Sequence, residues 1–415
     1  MGPPLVGHGC RVDGKATHAL ILGWARVLVC GGTADCQPSP PGLLHDTRMG
    51  ISRPFLLSAA LLLGCGGKSG IAGDAGRDDV DASPDAGPSR PDPDAGYDIP
   101  LEAWSWLDVP GMVCGNGAPT GIAVNPSTKS QKLVIMFEGG GACWEAAACY
   151  GILIPVTASH LDGFDATTFD SVRAQFFDSN FMFQRSDPAS LFHDATWVFV
   201  PYCTGDLHAG TQDTVYDALG QQRTMHHRGA GNVDAMLAKV GTYPVSEVFA
   251  MGISAGGFGV QLNWDRIAAA FPNVTTHAFA DGSQMVPIET NRYGTINQRW
   301  APRFPAGCTD CDRHFDHVAA FWRAAPPPHG GRFGLIDSLQ DGTLSAFFGY
   351  DAAGMRAQSL IIGTSMTGTQ AAFMVDDTSH TRLGQPATQT STGVVLKPWV
   401  ESWANGSAAF TTVGP

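Results

Sequence analysis

One stretch of this sequence has the residue types for chemistry. "GISAGGFGV", residues 252–260, sets a single serine among four glycines, after an apolar run and before a helix-like one. Such a loop has three readings: a tight turn, a phosphate cradle, or an elbow that raises Ser254 as a nucleophile. A phosphate-binding P-loop needs G-x-x-x-x-G-K-[ST], and no lysine follows here. A dinucleotide fingerprint needs a third glycine where Leu262 stands. "GISAGG" does fit G-x-S-x-G, in which small flanking residues let a strained strand-to-helix turn pass without collision.

A second glycine cluster favours the nucleophile over the turn. "KLVIMFEGGGACW" reads as a strand running into Gly139-Gly140-Gly141. Attack on an acyl carbon creates an oxyanion that backbone N–H groups must meet, each worth roughly 10²–10³ in rate. One donor normally follows the nucleophile, here Ala255, and the rest come from an earlier strand-end loop. "EGGG" stands in that place.

"FEGGGACW", "VPYCTGDLHAG" and "GISAGGFGV" together resemble, in order and spacing, the pectin acetylesterase/Notum family, over about residues 101–400. The resemblance implies an α/β-hydrolase-like fold, a Ser-Asp-His triad and cleavage of carboxylic esters, on acetylated polysaccharide or on a fatty-acylated protein. In that order, His380 in "VDDTSHT" is the expected base. Asp341 in "LIDSLQDGTLSAFFG" resembles the family's acid position. Asp281 in "FADGS" also follows a strand and is expected to serve the pocket or the scaffold; Asp376 and Asp377 lie too near His380 in sequence to be preferred. His380 then deprotonates Ser254 while Asp341 orients the imidazole, and Gly140, Gly141 and Ala255 donate to the oxyanion. This chemistry calls for no metal and no cofactor.

The sequence also departs from the family. The plant pattern "EGGGWC" becomes "EGGGACW", with Ala142 before Cys143 and Trp144 after it, and the "DAGFF"-like segment becomes "DGSQM". His208 and Trp144 either line the pocket or pack. The expected substrate is an acetylated, or otherwise small-acyl, saccharide.

These residues need a scaffold that brings strand ends together. Short apolar runs at 132–137, 196–202, 247–252, 276–281, 332–338 and 371–377 read as strands. Helical patterns lie at about 227–240, 257–270, 313–325 and 394–404. Near-continuous apolar strands alternating with helices predict an α/β domain over 101–415, its mostly parallel central sheet flanked by helices. The segment 145–195 is long for a connection and is expected to form a cap or rim.

Six cysteines fall in this domain, and an even set in an exported protein suggests disulfides. Cys143 with Cys149 and Cys308 with Cys311 are local pairs, leaving Cys114 and Cys203. "CTDC" at 308 also suits a redox or zinc motif, but no second CxxC or spaced histidine pair accompanies it.

The remaining chain reads as export and attachment. "RMGISRPFLLSAALLLGCGG" follows Arg48 with an apolar run too short to span a bilayer, matching a signal-peptide core. Its Leu-Leu-Gly-Cys ending resembles a bacterial lipobox. Residues 49–64 are then a signal peptide, Cys65 carries lipid, and residues 1–48 are an upstream extension; a plain secretory signal is the alternative. Residues 65–100 repeat "DAG" and lack the apolar content to fold, so they read as a tether. The chain carries 38 acidic against 25 basic residues, for a formal charge of −13. That balance excludes nucleic acid as a partner, since phosphates demand a basic face. Membrane contact is expected only through the lipid, at the cell envelope.

Overall fold

A computed structural model describes residues 98–325 and 327–415. The expected extension, signal peptide, lipidated Cys65 and nearly all of the tether lie outside the described residues.

In chain order the strands are β1 (Ser105–Val113), β2 (Pro119–Asn125), β3 (Lys132–Phe137), β4 (Thr196–Val200), β5 (Gln212–Ala218), β6 (Gln221–His227), β7 (Glu247–Ile253), β8 (Thr275–Asp281), β9 (Phe333–Ser338) and β10 (Gln370–Val375). The helices are α1 (Ala146–Tyr150), α2 (Ala166–Arg173), α3 (Gly229–Val240), α4 (Ala255–Ala270), α5 (Thr290–Trp300), α6 (Asp316–Ala324), α7 (Gly342–Phe348), α8 (Ala352–Thr364) and α9 (Leu396–Asn405). Eight strands make one sheet in the order β1-β2-β4-β3-β7-β8-β9-β10, while β5 and β6 pair as a separate hairpin. From β4 to β10 every neighbour is parallel; β2 runs antiparallel to both β1 and β4. This is an α/β-hydrolase-like sheet.

Side-chain alternation explains the unbroken apolar strands. Leu133, Ile135, Phe137, Val248 and Ala250 point into one core with Val233 of α3, Phe258 of α4 and Val318 of α6. Val134, Met136, Phe249 and Met251 point into the other with Phe169 of α2 and Trp399 and Trp403 of α9. Both faces of β3 and β7 are covered, which is why their runs are apolar throughout. All the parallel strands end at one edge, where the topology gathers the loops.

The segment 145–195 divides in two. Phe164, Phe169, Phe177, Phe183 and Phe192 pack on Trp197 and Phe199 of β4 in the second core. Arg185 holds this layer, donating to the carbonyl oxygens of Asn125, His193 and Ala195 and stacking 3.7 Å above the Trp197 ring. Residues 145–159 instead reach the glycine bend after β3.

Three disulfides join Cys114 to Cys203, Cys143 to Cys149 and Cys308 to Cys311.

Candidate active site

Ser254 stands between β7 and α4 with φ 54° and ψ −123°, a conformation that costs a non-glycine residue energy. The neighbours make that turn possible. A side chain on Gly252 would strike Gly256, one on Gly256 would strike the Phe137 and Glu138 carbonyls, and one on Gly257 would strike Ser283. The glycines that looked merely permissive in sequence are contact points between β7, β3 and the start of α4.

The Ser254 Oγ lies 2.8 Å from His380 Nε2, and His380 Nδ1 lies 2.7 Å from Asp341 Oδ2. Serine, histidine and aspartate thus come together from the ends of β7, β10 and β9. Asp341 is fully buried, while the His380 side chain keeps 18% of its surface exposed at the site's mouth. The second carboxyl oxygen of Asp341 accepts the Thr343 and Leu344 N–H groups at 2.9 Å each, so the acid also caps α7. That double duty fixes its orientation: one oxygen takes the helix, the other faces the imidazole. The other aspartates considered near His380 are engaged elsewhere. Asp376 pairs with Arg356, and Asp377 with Arg382.

The bend after β3 passes directly beside the serine, for a Cβ on Gly139 would lie 3.1 Å from that of Ser254. Gly140 and Gly141 have φ of 146° and 76°, so the bend requires glycine. Ser159 N–H donates to the Gly140 carbonyl and Ala142 N–H to the Thr157 carbonyl. Gly141 lies between those two bonds, opposite Ala158, so its own N–H points away from the pairing strand. Ala255 opens α4, where an N–H has no intrahelical acceptor.

Three buried groups support this corner. His208 donates through Nε2 to the Glu138 carbonyl at 3.0 Å and packs on Phe137 and Tyr202. Burial pushes it down to about 4, so it is a neutral packing residue, resolving one of its two expected roles. Glu138, immediately before the glycines, accepts the Tyr202 N–H at 2.8 Å. Burial raises its carboxyl to about 8, against that bond. Asp281 binds the loop beyond His380. Sequence reading left Asp281 between pocket and scaffold and assigned Glu138 nothing; the only available signal was their place at strand ends beside glycines.

One turn into α4, Phe258 packs on Phe315, Phe347 and Phe348, and Trp144 packs on Phe347 at 5.6 Å between centroids. Trp144 and Phe347 are half-buried. Beyond α1 the chain is apolar and bare: Leu153 is 99% exposed, with Ile154 and Val156 also exposed. This loop hangs from the Cys143–Cys149 bridge at one end and from Thr157, bonded to Ala142, at the other.

A family model described as pectinacetylesterase matches residues 96–298, which include Ser254 but end before Asp341 and His380. The palmitoleoyl-protein carboxylesterase NOTUM of Schmidtea mediterranea is 31% identical over 223 residues, covering 47% of this chain and 40% of that protein. The Drosophila melanogaster protein of the same name is 26% identical over 161 residues, covering 38% of this chain and 23% of that protein. The chain therefore spans less than half the length of these curated relatives. A crystal structure of the Wnt deacylase Notum from Drosophila superposes with a TM-score of 0.54 at 17% identity, covering 74% of this chain and 94% of that one. That likeness shows a shared fold.

Proposed function

We propose that the chain is a member of the pectin acetylesterase/Notum family and a serine carboxylic ester hydrolase that removes acetyl or other small acyl groups from a saccharide. The observation that carries the reading is the hydrogen-bonded series Ser254–His380–Asp341 beside a glycine bend. His380 takes the Ser254 proton as Oγ attacks the ester carbonyl, and buried Asp341 stabilises the imidazolium. The N–H groups of Gly140, Gly141 and Ala255 receive the oxyanion. The tetrahedral intermediate collapses with proton transfer from His380 to the leaving alcohol. Water activated by the same histidine then frees the acyl group.

The small-acyl preference is argued from the packed rings of Phe258, Phe315 and Phe348, which cover one side of α4, the helix that follows Ser254. Half-buried Trp144 offers a flat face for a sugar ring. The exposed Leu153, Ile154 and Val156 favour a second reading, a lipid- or protein-acyl esterase, because they put apolar surface on the loop that rejoins the glycine bend at Thr157.

The disulfides support an oxidising, extracytoplasmic setting. Attachment to the envelope through lipidated Cys65 and the 65–100 tether belongs to the same proposal, and mass spectrometry of the native N-terminus tests it. No helix among the described residues is long and apolar enough to cross a membrane.

For the substrate, acetate release from acetylated pectin, xylan and chitin is compared with hydrolysis of p-nitrophenyl esters of increasing chain length. The reading expects acetate release and a preference for short chains, both lost in Ser254→Ala. Preference for long chains selects the second reading. Activity that survives Ser254→Ala overturns the mechanism, and an inert wild type identifies a silent binding protein.

A further inference from the structure

We propose that Asp281 is a positioning residue that clamps the His380 loop to the Ser254 turn, setting base on nucleophile before substrate arrives. The inference rests on the esterase reading above and adds a fourth side chain to its machinery.

Asp281 ends β8, opposite Ile253 in the β7 register, and its main-chain carbonyl accepts the Ser254 N–H at 2.8 Å. Its side-chain Oδ2 accepts the N–H groups of Arg382 and Leu383 at 2.7 Å each. One residue thus grips the nucleophile's backbone with its carbonyl and the base's loop with its carboxyl. The loop needs such a hold. It turns sharply at Thr381, whose φ is 62°, and the adjacent Gly282 lies so close that a Cβ there would be 3.3 Å from His380 Nδ1 and Cε1. The imidazole therefore rests against the backbone that Asp281 anchors.

The second carboxyl oxygen, Oδ1, is buried and accepts no hydrogen bond. Nor does the nearest arginine neutralise the group: the Arg382 guanidinium donates to Ser338 and pairs with Asp377. Burial raises Asp281 to about 6, while the two backbone donors and the charge of His380 lower it and that of Asp341 raises it. Asp337 on β9 and Asp341 are buried acids as well. Above pH 6 Asp281 is a carboxylate, and its charge acts on the imidazolium that forms during catalysis.

Two variants separate the clamp from ordinary scaffolding. Asp281→Ala removes both loop bonds. The expected result is a kcat about 10–100-fold lower with KM within about 2-fold, since small displacements of reacting groups cost that much. Labelling of Ser254 by a fluorophosphonate slows in proportion. Asp281→Asn keeps an acceptor for the two N–H groups but no charge. It should restore most of kcat, because the loop keeps both of its hydrogen bonds.

Wild-type labelling rate and kcat in Asp281→Ala, with only a lower melting temperature, overturn the clamp. Should that variant fail to fold, Asp281→Glu, whose longer side chain moves the acceptor away from both N–H groups, takes its place, and wild-type kcat and labelling there overturn the clamp. Wild-type protein that neither takes up the fluorophosphonate at Ser254 nor turns over p-nitrophenyl acetate overturns the esterase reading itself. Fast labelling in both wild type and Asp281→Ala sinks the clamp alone.

Discussion

At Gly256 the chain has no room for even a methyl group, because a Cβ there would strike the Phe137 carbonyl oxygen and lie 2.7 Å from that of Glu138. Gly256→Ala must therefore push β3 and its glycine bend away from Ser254. A displacement of this kind is expected to cost about 10²-fold in kcat, with KM changing little. The check is p-nitrophenyl acetate kinetics beside a thermal melt; unchanged kcat would show that the contact has no catalytic consequence. Ser254, His380 and Asp341 were legible because each follows an apolar run, and their order matched a known arrangement. The hydrogen bonds of Asp281, and Glu138 altogether, were not. Their partners, Arg382 and Tyr202, lie 101 and 64 residues away, and a hydrogen bond to a distant N–H leaves no mark on local sequence.

The elements most easily read were those buried on both faces. The apolar runs of β3, β7 and β8 admit no other assignment once helices flank them. By contrast β1, "SWLDVPGMV", is an edge strand that carries Asp108 and Pro110, a pattern closer to a loop. The β5–β6 hairpin turns through Leu219 and Gly220, both with positive φ, and Leu219 masks the usual Asn-Gly signal. The helix α8 hides because Gly354, Ser359 and Gly363 break its periodicity. Disulfides bind these elements unequally. Cys114–Cys203 spans 89 positions and ties β1 to the end of β4, whereas Cys143–Cys149 spans only 6. Loop-closure entropy then predicts a loss of about 4–5 kcal/mol on removing the first and about 2 kcal/mol for the second. Paired Cys→Ser variants in denaturant titrations measure both, and equal losses would refute the ordering.

For the whole molecule, buried titratable groups set the pH range of stability. Burial holds His208 and His227 down to about 4, so both are neutral in the fold while the unfolded chain takes up protons below about pH 6.5. Their contribution is present above that value and is lost as pH falls towards 4. Glu138 and Asp337 behave oppositely. Burial raises each to about 8, with Asp341's charge adding to the effect at Asp337, so the unfolded chain sheds these protons first and stability falls as pH rises from about 4 to 8. Between pH 6.5 and 8 only the acids act. The melting temperature should decline across that window and level off beyond it, and Glu138→Gln and Asp337→Asn should each flatten the decline. Identical slopes in wild type and both amides would refute this account. One further consequence belongs to the bare loop from Gly151 to Val156. The chain leaves the glycine bend at a covalent bridge and rejoins it at Thr157, and the exposed residues between them pack into no core. Doubling such a loop adds only about 0.6 kcal/mol of closure cost. It is a seam in the fold: this segment can change in length and composition while Ser254, His380 and Asp341 keep their places, so the substrates of the proposed esterase can vary apart from its chemistry.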